Sequence, residues 1–265
     1  MKKLLTALIA LGFLVGGSAA SACALTAWSS DTGPAVGGPA ETNALSRYSG
    51  LCSMAPGAVG QYVQDNNPTN EGRIIVSFYV FAGSATQPVT GTGNIFTAYA
   101  EDGATTEVFS IGFDAGAGTV NATPVSGTAA SAAIGAGWNQ VVVDWTGGGG
   151  ISLWVNSDAT SDPADGTGTD TGAATIGAVQ LGALTGSLAG AVFDQYESRR
   201  TTLIPPAPAG DANGDGTIAL ADAILILREA LGLDFSTGQP DADRDGSVAL
   251  ADAIRALRIS LGLPV

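Results

Sequence analysis

The chain has 265 residues, with 24 Asp and Glu against ten Lys and Arg, no His, and a formal charge of −14. Without His there is no Ser-His-Asp triad and no histidine zinc site, and an acid surplus of this size repels nucleic acid and anionic membrane surfaces. Both lysines sit at positions 2 and 3, so the rest of the chain keeps eight Arg, no lysine for a Schiff base and a charge near −16; an enzyme built on it would have to use carboxylates.

The N-terminus has the three parts of a secretory signal: Lys2-Lys3, an apolar run from Leu4 to Val15, and small residues ending in Ala20-Ser21-Ala22. The apolar run is too short to span a bilayer, and no later stretch of about 20 apolar residues replaces it. Cleavage is expected before Cys23, making residues 1–22 a signal peptide and the product a secreted, extracellular protein without membrane insertion. Cys23 and Cys52 are the two cysteines of the chain, and two cysteines in a secreted protein most simply pair. Closing a loop of about 30 residues stabilises by roughly 3–4 kcal/mol in the chain-entropy model. Lipidation of Cys23 competes with pairing, although Ala20 stands where a lipoprotein box usually has Leu.

From Ala24 to Arg200, short apolar runs alternate with clusters of Gly, Asn, Asp, Thr and Pro. Ile74–Phe81, Ile95–Tyr99, Glu107–Phe113, Val141–Trp145 and Ile151–Val155 carry β-branched and aromatic residues with period-two character. Trp145-Thr146-Gly147 through Gly150-Ile151 reads as a hairpin connected by glycines. Strands at roughly ten-residue spacing, with almost no helical periodicity before residue 220, argue an antiparallel β-sandwich. The segment from Ser157 to Gly172, rich in Asp, Thr and Gly, is expected to be a long surface loop. Trp138, Trp145 and Trp154 either stack on sugar rings or fill core and cross-strand positions. Asp65-Asn66-Asn67 and the series Asp158, Asp162, Asp165, Asp170 either hold another cation or are solvated loop acids. Arg199-Arg200 marks the domain edge.

Trp138–Asn156 resembles the paired central strands of concanavalin A-like, laminin-G-type jelly rolls, and Gly190–Arg200 resembles their closing strand. The resemblance implies a jelly-roll β-sandwich over residues 23–203. Glycosidases of this fold usually carry Glu-x-Asp-x-x-Glu on one strand, and that motif is absent; Glu101-Asp102 and Asp194-x-x-Glu197 come nearest without reproducing the spacing.

Pro205-Pro206-Ala207-Pro208 then marks a linker over residues 204–209, and it cannot be an incoming helix. Beyond it lie two near-copies about 30 residues apart, Asp211 to Asp222 and Asp241 to Asp252. Oxygen-bearing side chains occupy loop positions 1, 3 and 5 (Asp211, Asn213, Asp215; Asp241, Asp243, Asp245), glycine occupies position 6 and Asp222 or Asp252 closes position 12. That spacing suits Ca²⁺, which takes six to eight oxygen ligands around a sharp turn; the carbonyls of Thr217 and Ser247 would supply position 7, and water would stand in at position 9, where the residues are Ala219 and Ala249. After each loop, apolar residues recur at helical spacing, Leu220, Ile224, Leu227 and Leu231 in the first copy and Ile254, Leu257 and Leu261 in the second.

Each unit is thus a loop with an exiting helix, half of an EF-hand. The duplicated half, with Asp at position 12, resembles the type I dockerin domain over residues 210–265. The resemblance implies a small all-α module holding two structural Ca²⁺ ions, whose paired helices present a nearly twofold-symmetric face to a cohesin. The positions of that face correspond to Leu220, Ala221, Leu227, Arg228 and Gly232 in the first copy, and to Leu250, Ala251, Leu257, Arg258 and Gly262 in the second. Leu-Ala replaces the polar pair many cellulosomal dockerins carry, which bears on the partner's identity and not on the ligands. The plainer alternative packs the two helices on each other with Leu220 and Leu250 as core.

Three functions compete. The first is a non-catalytic secreted protein whose lectin-like sandwich rides on a calcium-dependent docking module, with a cohesin-like partner and a polysaccharide-linked role by analogy. The second is a calcium-stabilised structural or surface protein with no partner, which an exposed apolar face on the helices would argue against. The third is a glycoside hydrolase, which needs a close pair of carboxylates in a cleft.

Overall fold

The computed structural model describes residues 23–38 and 45–265; the expected signal peptide lies outside them. In chain order these residues form β1 (Ser30–Asp31), β2 (Ala35–Gly37), β3 (Ser53–Ala55), β4 (Gln61–Asp65), β5 (Arg73–Phe81), β6 (Thr92–Tyr99), β7 (Glu107–Asp114) and β8 (Thr119–Pro124). They continue as β9 (Gly127–Thr128), β10 (Ala130–Ala133), β11 (Trp138–Thr146), β12 (Gly150–Val155), β13 (Gly166–Asp170), β14 (Ala178–Ala183) and β15 (Val192–Arg199), followed by the helices α1 (Leu220–Ala230) and α2 (Leu250–Ser260). One sheet has the order β1-β4-β14-β6-β7-β8-β10 and the other β2-β3-β15-β5-β11-β12-β13-β9, with every pairing antiparallel. The chain is therefore mainly β, a two-sheet sandwich with a small helical unit at its end.

The sheets close on a shared core. Ile74, Val76, Phe78 and Val80 of β5, with Val141, Val143 and Trp145 of β11, pack against Phe96 of β6 and Phe109 and Ile111 of β7. Phe109 stacks on Trp145 at 5.7 Å and Phe78 on Phe96 at 6.1 Å across the gap. β11 and β12 form the expected hairpin, Trp145 opposite Ile151. Trp138, Trp145 and Trp154 are all buried, which fits their packing reading.

The outer face of β5 is covered as well, which explains why its sequence runs apolar almost without a break. At one end of that face Tyr79 and Phe81 join Tyr48, Trp138 and Val192 in a second cluster; at the other, Ile75 packs with Val142, Trp154 and Ile204. Tyr48 and Tyr79 stack on each other at 3.7 Å and hold the proline-rich segment with their hydroxyls: the Tyr48 hydroxyl donates to the Ala207 carbonyl, and the Ala207 N–H donates to the Tyr79 hydroxyl. Gln140 adds a bond to the Pro205 carbonyl. Residues 204–208 thus lie along the sheet.

One expectation needs correction. The segment 157–172 is not loop throughout, because Gly166–Asp170 is a strand that pairs with β12 and β9. Its glycines let neighbouring backbone approach closely: a Cβ on Gly168 would stand 2.1 Å from the Thr128 carbonyl oxygen. Asp170 ends the strand buried, accepting the Trp145 indole N–H at 2.7 Å. Cys23 and Cys52 form a disulfide with Cα atoms 5.7 Å apart, tying the N-terminal segment to the sandwich. Among the described residues no helix is long and apolar enough to cross a membrane.

Candidate functional site

In both copies the aspartate at position 12 joins loop to helix. Asp222 accepts the Asn213 N–H with Oδ1 and the Ala219 N–H with Oδ2; Asp252 accepts the N–H groups of Ala242 and Asp243 with Oδ1 and of Ala249 with Oδ2. The bond back to Ala219 or Ala249 satisfies a donor that the first helical turn would otherwise leave free. Position 1 fixes the other side of each loop. Asp211 accepts from Gly214, Asp215 and Gly216, and Asp241 accepts from Asp245 and Gly246. At position 5, Asp215 takes the Thr217 N–H and hydroxyl, and Asp245 takes those of Ser247. The loops are therefore held by carboxylates that turn inward, with backbone N–H groups as their supports.

In the second loop, one oxygen each from Asp241, Asp243 and Asp252 lies within 4.8 Å of the others, and this is the single such cluster of three or more potential ligand groups among the described residues. Ligands 2.3–2.6 Å from one ion are separated by up to about 5 Å, so the cluster has the dimensions of a Ca²⁺ shell. Its electrostatics point the same way. Burial, together with the charges of Asp252, Asp243 and Asp245, pushes the Asp241 carboxyl up to about 8 against the pull of the Gly246 N–H, and burial also raises Asp252. In the first loop the position-3 residue is Asn213, whose amide donates to Asp215, and hydrogen bonds from Thr217 and Asn213 lower the Asp215 carboxyl. Asp211, Asn213, Asp215, Thr217 and Asp222, and Asp241, Asp243, Asp245, Ser247 and Asp252, are the residues that would hold two hard cations.

The helices decide against the plainer alternative, in which Leu220 and Leu250 are core. Their mutual core is built from Ala223, Ile226, Ala253 and Ala256, with Ala212 from the first loop, and Ile218, Leu225 and Val248 alongside. Leu220 and Leu250 are not core; each is 58% exposed. Ile224, Leu227 and Leu231 on the first helix side, and Ile254, Leu257 and Leu261 on the second, are exposed with them, as are Ala221, Arg228, Ala251 and Arg258. Alanines at the seam bring the helices together, and the larger apolar side chains are left on the outside.

The acids of the sandwich have structural duties. Glu101 caps the turn at Thr105 and Thr106, Asp65 holds Asn67, Asp158 holds Thr160, and Asp165 holds Val155 and Ser157. Asp194 accepts the N–H groups of Tyr48 and Ser49, and burial pushes its carboxyl up to about 6. Arg199 bonds Glu197 and Arg200 pairs with Glu71, both at the edge of the sandwich. A cleft of about 420 Å³ opens beside β15, where Trp28 and Tyr196 lie 5.1 Å apart and Asp65 and Gln195 reach its wall.

Sequence reasoning missed the contact between sandwich and helical unit. Arg47 and Glu229, both buried, form an ion pair of 2.5 Å, and Glu229 also accepts from Ser236. Gln239 donates to Ser49, and Gly50 donates its N–H to the Thr237 carbonyl. The one signal was Glu229 itself, an acid that breaks the run between Leu227 and Leu231 without a basic partner three or four residues away on the helix.

No family model and no curated protein matches the chain. Among solved structures, it aligns with a Trypanosoma rangeli sialidase in complex with 2,3-difluorosialic acid (13% identity, TM-score 0.43, 57% of this chain and 26% of that one). It also aligns with the botulinum neurotoxin serotype D ligand-binding domain in complex with N-acetylneuraminic acid (10% identity, TM-score 0.37, 57% of this chain and 39% of that one). The chain spans well under half the length of either, and likenesses this slight carry no argument about its role.

Proposed function

We propose that this is a secreted, non-catalytic protein whose C-terminal unit is a calcium-organised docking module of dockerin type, carrying the β-sandwich to a partner. The observation that bears most weight is the outward stripe of Leu220, Ile224, Leu227 and Leu231 together with Leu250, Ile254, Leu257 and Leu261, all exposed over a seam of alanines. Twelve of the fourteen exposed large apolar side chains among the described residues fall between Leu220 and Val265. A concentration of this kind marks a surface meant to be covered. Ca²⁺ would neutralise the clustered carboxylates and hold Asp222 and Asp252 in the geometry that starts each helix.

The partner is a protein with an apolar, acid-poor face, of which a cohesin-type domain is the type case. Arg228 and Arg258 flank the stripe and would pair with acids at the rim of such a face. A polysaccharide-linked role for the sandwich rests on the resemblance of its strands, and the cleft at Trp28 and Tyr196 is where a sugar ring would stack. The test is binding of a cohesin-type domain to the full secreted chain, with Ca²⁺ and with EGTA. Capture in Ca²⁺ is expected, lost both in EGTA and in the double variant Leu227→Asp/Leu257→Asp, whose circular dichroism should be unchanged. Capture that survives in the double variant would remove the helix face from the account.

A further inference from the structure

The two loops are near-copies in sequence, yet they meet different surroundings. In the second loop, Arg244 stands at position 4 and Gly246 at position 6, directly between the ligand positions. The Arg244 carbonyl accepts the Trp138 N–H at 2.8 Å, and its guanidinium donates to Asn156 Oδ1 at 2.9 Å. Gly246 lies flat on the Phe81 ring: a Cβ there would come within 2.4 Å of Phe81 Cε2. From the other side, a Cβ on Gly137 would stand 2.0 Å from the Arg244 carbonyl oxygen. Two backbones and a ring therefore meet without room for a methyl group.

The first loop is supported from its own unit instead. Gly214 replaces Arg244, and Gly238 packs against the loop, where a Cβ would stand 2.1 Å from the Asp211 carbonyl oxygen; a Cβ on Gly216 would meet nothing within 4 Å, so no ring of the sandwich lies there. The sandwich holds the first copy one step removed from its loop, by Arg47 on Glu229 and by Ser49 and Gly50 on Gln239 and Thr237, and the residue of the second copy that matches Glu229 is Ile259.

We propose that the second cation loop is completed by the sandwich, with Trp138, Phe81 and Asn156 acting through Arg244 and Gly246 as positioning residues, so that the two sites differ in affinity and only the second reports to the sandwich. The inference rests on the calcium reading of the loops. Its physical basis is that residues 244 and 246 are fixed by both sides at once. Whatever gathers Asp241, Asp243 and Asp252 also sets the Arg244 carbonyl against β11, and whatever holds that carbonyl keeps the ligands gathered. Loss of a support behind a metal ligand typically weakens binding about 10-fold or more.

Trp138 makes the coupling measurable, since its ring is buried 5.5 Å from Phe81 and its backbone bonds the loop directly. The experiment is titration of the full secreted chain with Ca²⁺, followed in parallel by calorimetry and tryptophan fluorescence. Calorimetry should show two ions with unequal affinities. Fluorescence should follow one of them only, and the change should vanish in Trp138→Phe. Arg244→Ala, which keeps a Cβ where one already exists, should weaken the fluorescence-reporting site about 10-fold and leave the other in place. Gly137→Ala, which breaks the contact from the sandwich side and touches no ligand, should do the same. Two equal sites with silent fluorescence, or an Arg244→Ala chain with both affinities intact, would overturn the inference while leaving the calcium reading standing. No calcium heat at all would overturn both.

Discussion

Asp252 does two tasks with one carboxylate, since it gathers the loop N–H groups of Ala242 and Asp243 and accepts the N–H of Ala249 where α2 begins. Asn213 has a lesser part, its side chain exposed and bonded only to Asp215. Asp252→Ala should therefore abolish binding at the second site and loosen its helix, whereas Asn213→Ala should weaken the first site and leave α1 formed; calorimetry and circular dichroism distinguish the two. Mg²⁺ should substitute poorly, because it requires near-octahedral geometry at shorter distances. Asp194 offers a test away from the loops. Its carboxyl is raised to about 6 mainly by burial, so the folded chain holds its proton more tightly than the unfolded one. The resulting stability is present in full below the unfolded value near 4 and is lost as pH rises through about 6. In denaturant titrations, the advantage of the natural chain over Asp194→Asn should shrink across that window, and an advantage that grows with pH would contradict the assignment. The turn of each loop around its aspartates is legible in the sequence because each loop is local. The Arg47–Glu229 pair is not, because its members are 182 residues apart. Glu229→Ala would leave Arg47 buried without its partner and should cost about 3–5 kcal/mol in a denaturant titration.

At the scale of elements, the periodic stripe of α1 was read correctly as helix and its orientation was left open. Periodicity gives the face that is apolar, and cannot tell whether that face meets a core or a partner. The deciding residues are Ala223, Ala253 and Ala256, whose small side chains let the helices approach and displace the leucines outward. Because Leu220 is 58% exposed, Leu220→Asp should change stability by less than about 0.5 kcal/mol, while disrupting the proposed docking surface. A loss of several kcal/mol would mean the face is packed in the free chain. The strand β5 carried a similar signal that went unused. Its run Ile74-Ile75-Val76-Ser77-Phe78-Tyr79-Val80-Phe81 has too few polar residues for a strand with one wet face, and the outer face is indeed roofed by Tyr48, Ile204 and the second loop. β13 escaped notice because Gly-Thr-Gly-Thr-Asp has strand alternation without apolar content; Thr167 and Thr169 face solvent and the glycines meet backbone. The Cys23–Cys52 bridge was legible from compartment and count. Cys52→Ser should lower stability by roughly 3 kcal/mol, measured by denaturant titration under non-reducing conditions.

As a whole molecule, the chain is a sandwich with its helical unit fastened to it. The segment 204–208 is held by the hydroxyls of Tyr48 and Tyr79, Glu229 is buried against Arg47, and Arg244 and Gly246 seat the second loop on β5 and β11. A composition reading gives proline-rich segments as spacers, and only the contacts of Ala207 reveal this one as a strap. One consequence is that the exposed stripes are held in a fixed direction relative to the sandwich, so a docked partner would orient the sandwich as well as tether it. The other follows if the loops hold cations as proposed: cation binding, helix formation and presentation of the stripe would then be one event, because about 55 residues with an alanine seam bury too little apolar surface to stand comfortably alone. Hydrogen–deuterium exchange on the full chain tests this most directly. With Ca²⁺, the amides of Leu220–Ala230 and Leu250–Ser260 should be protected along with those of β5 and β11. In EGTA the helices should exchange rapidly while β5 and β11 stay protected, and helices equally protected in EGTA and Ca²⁺ would contradict the account.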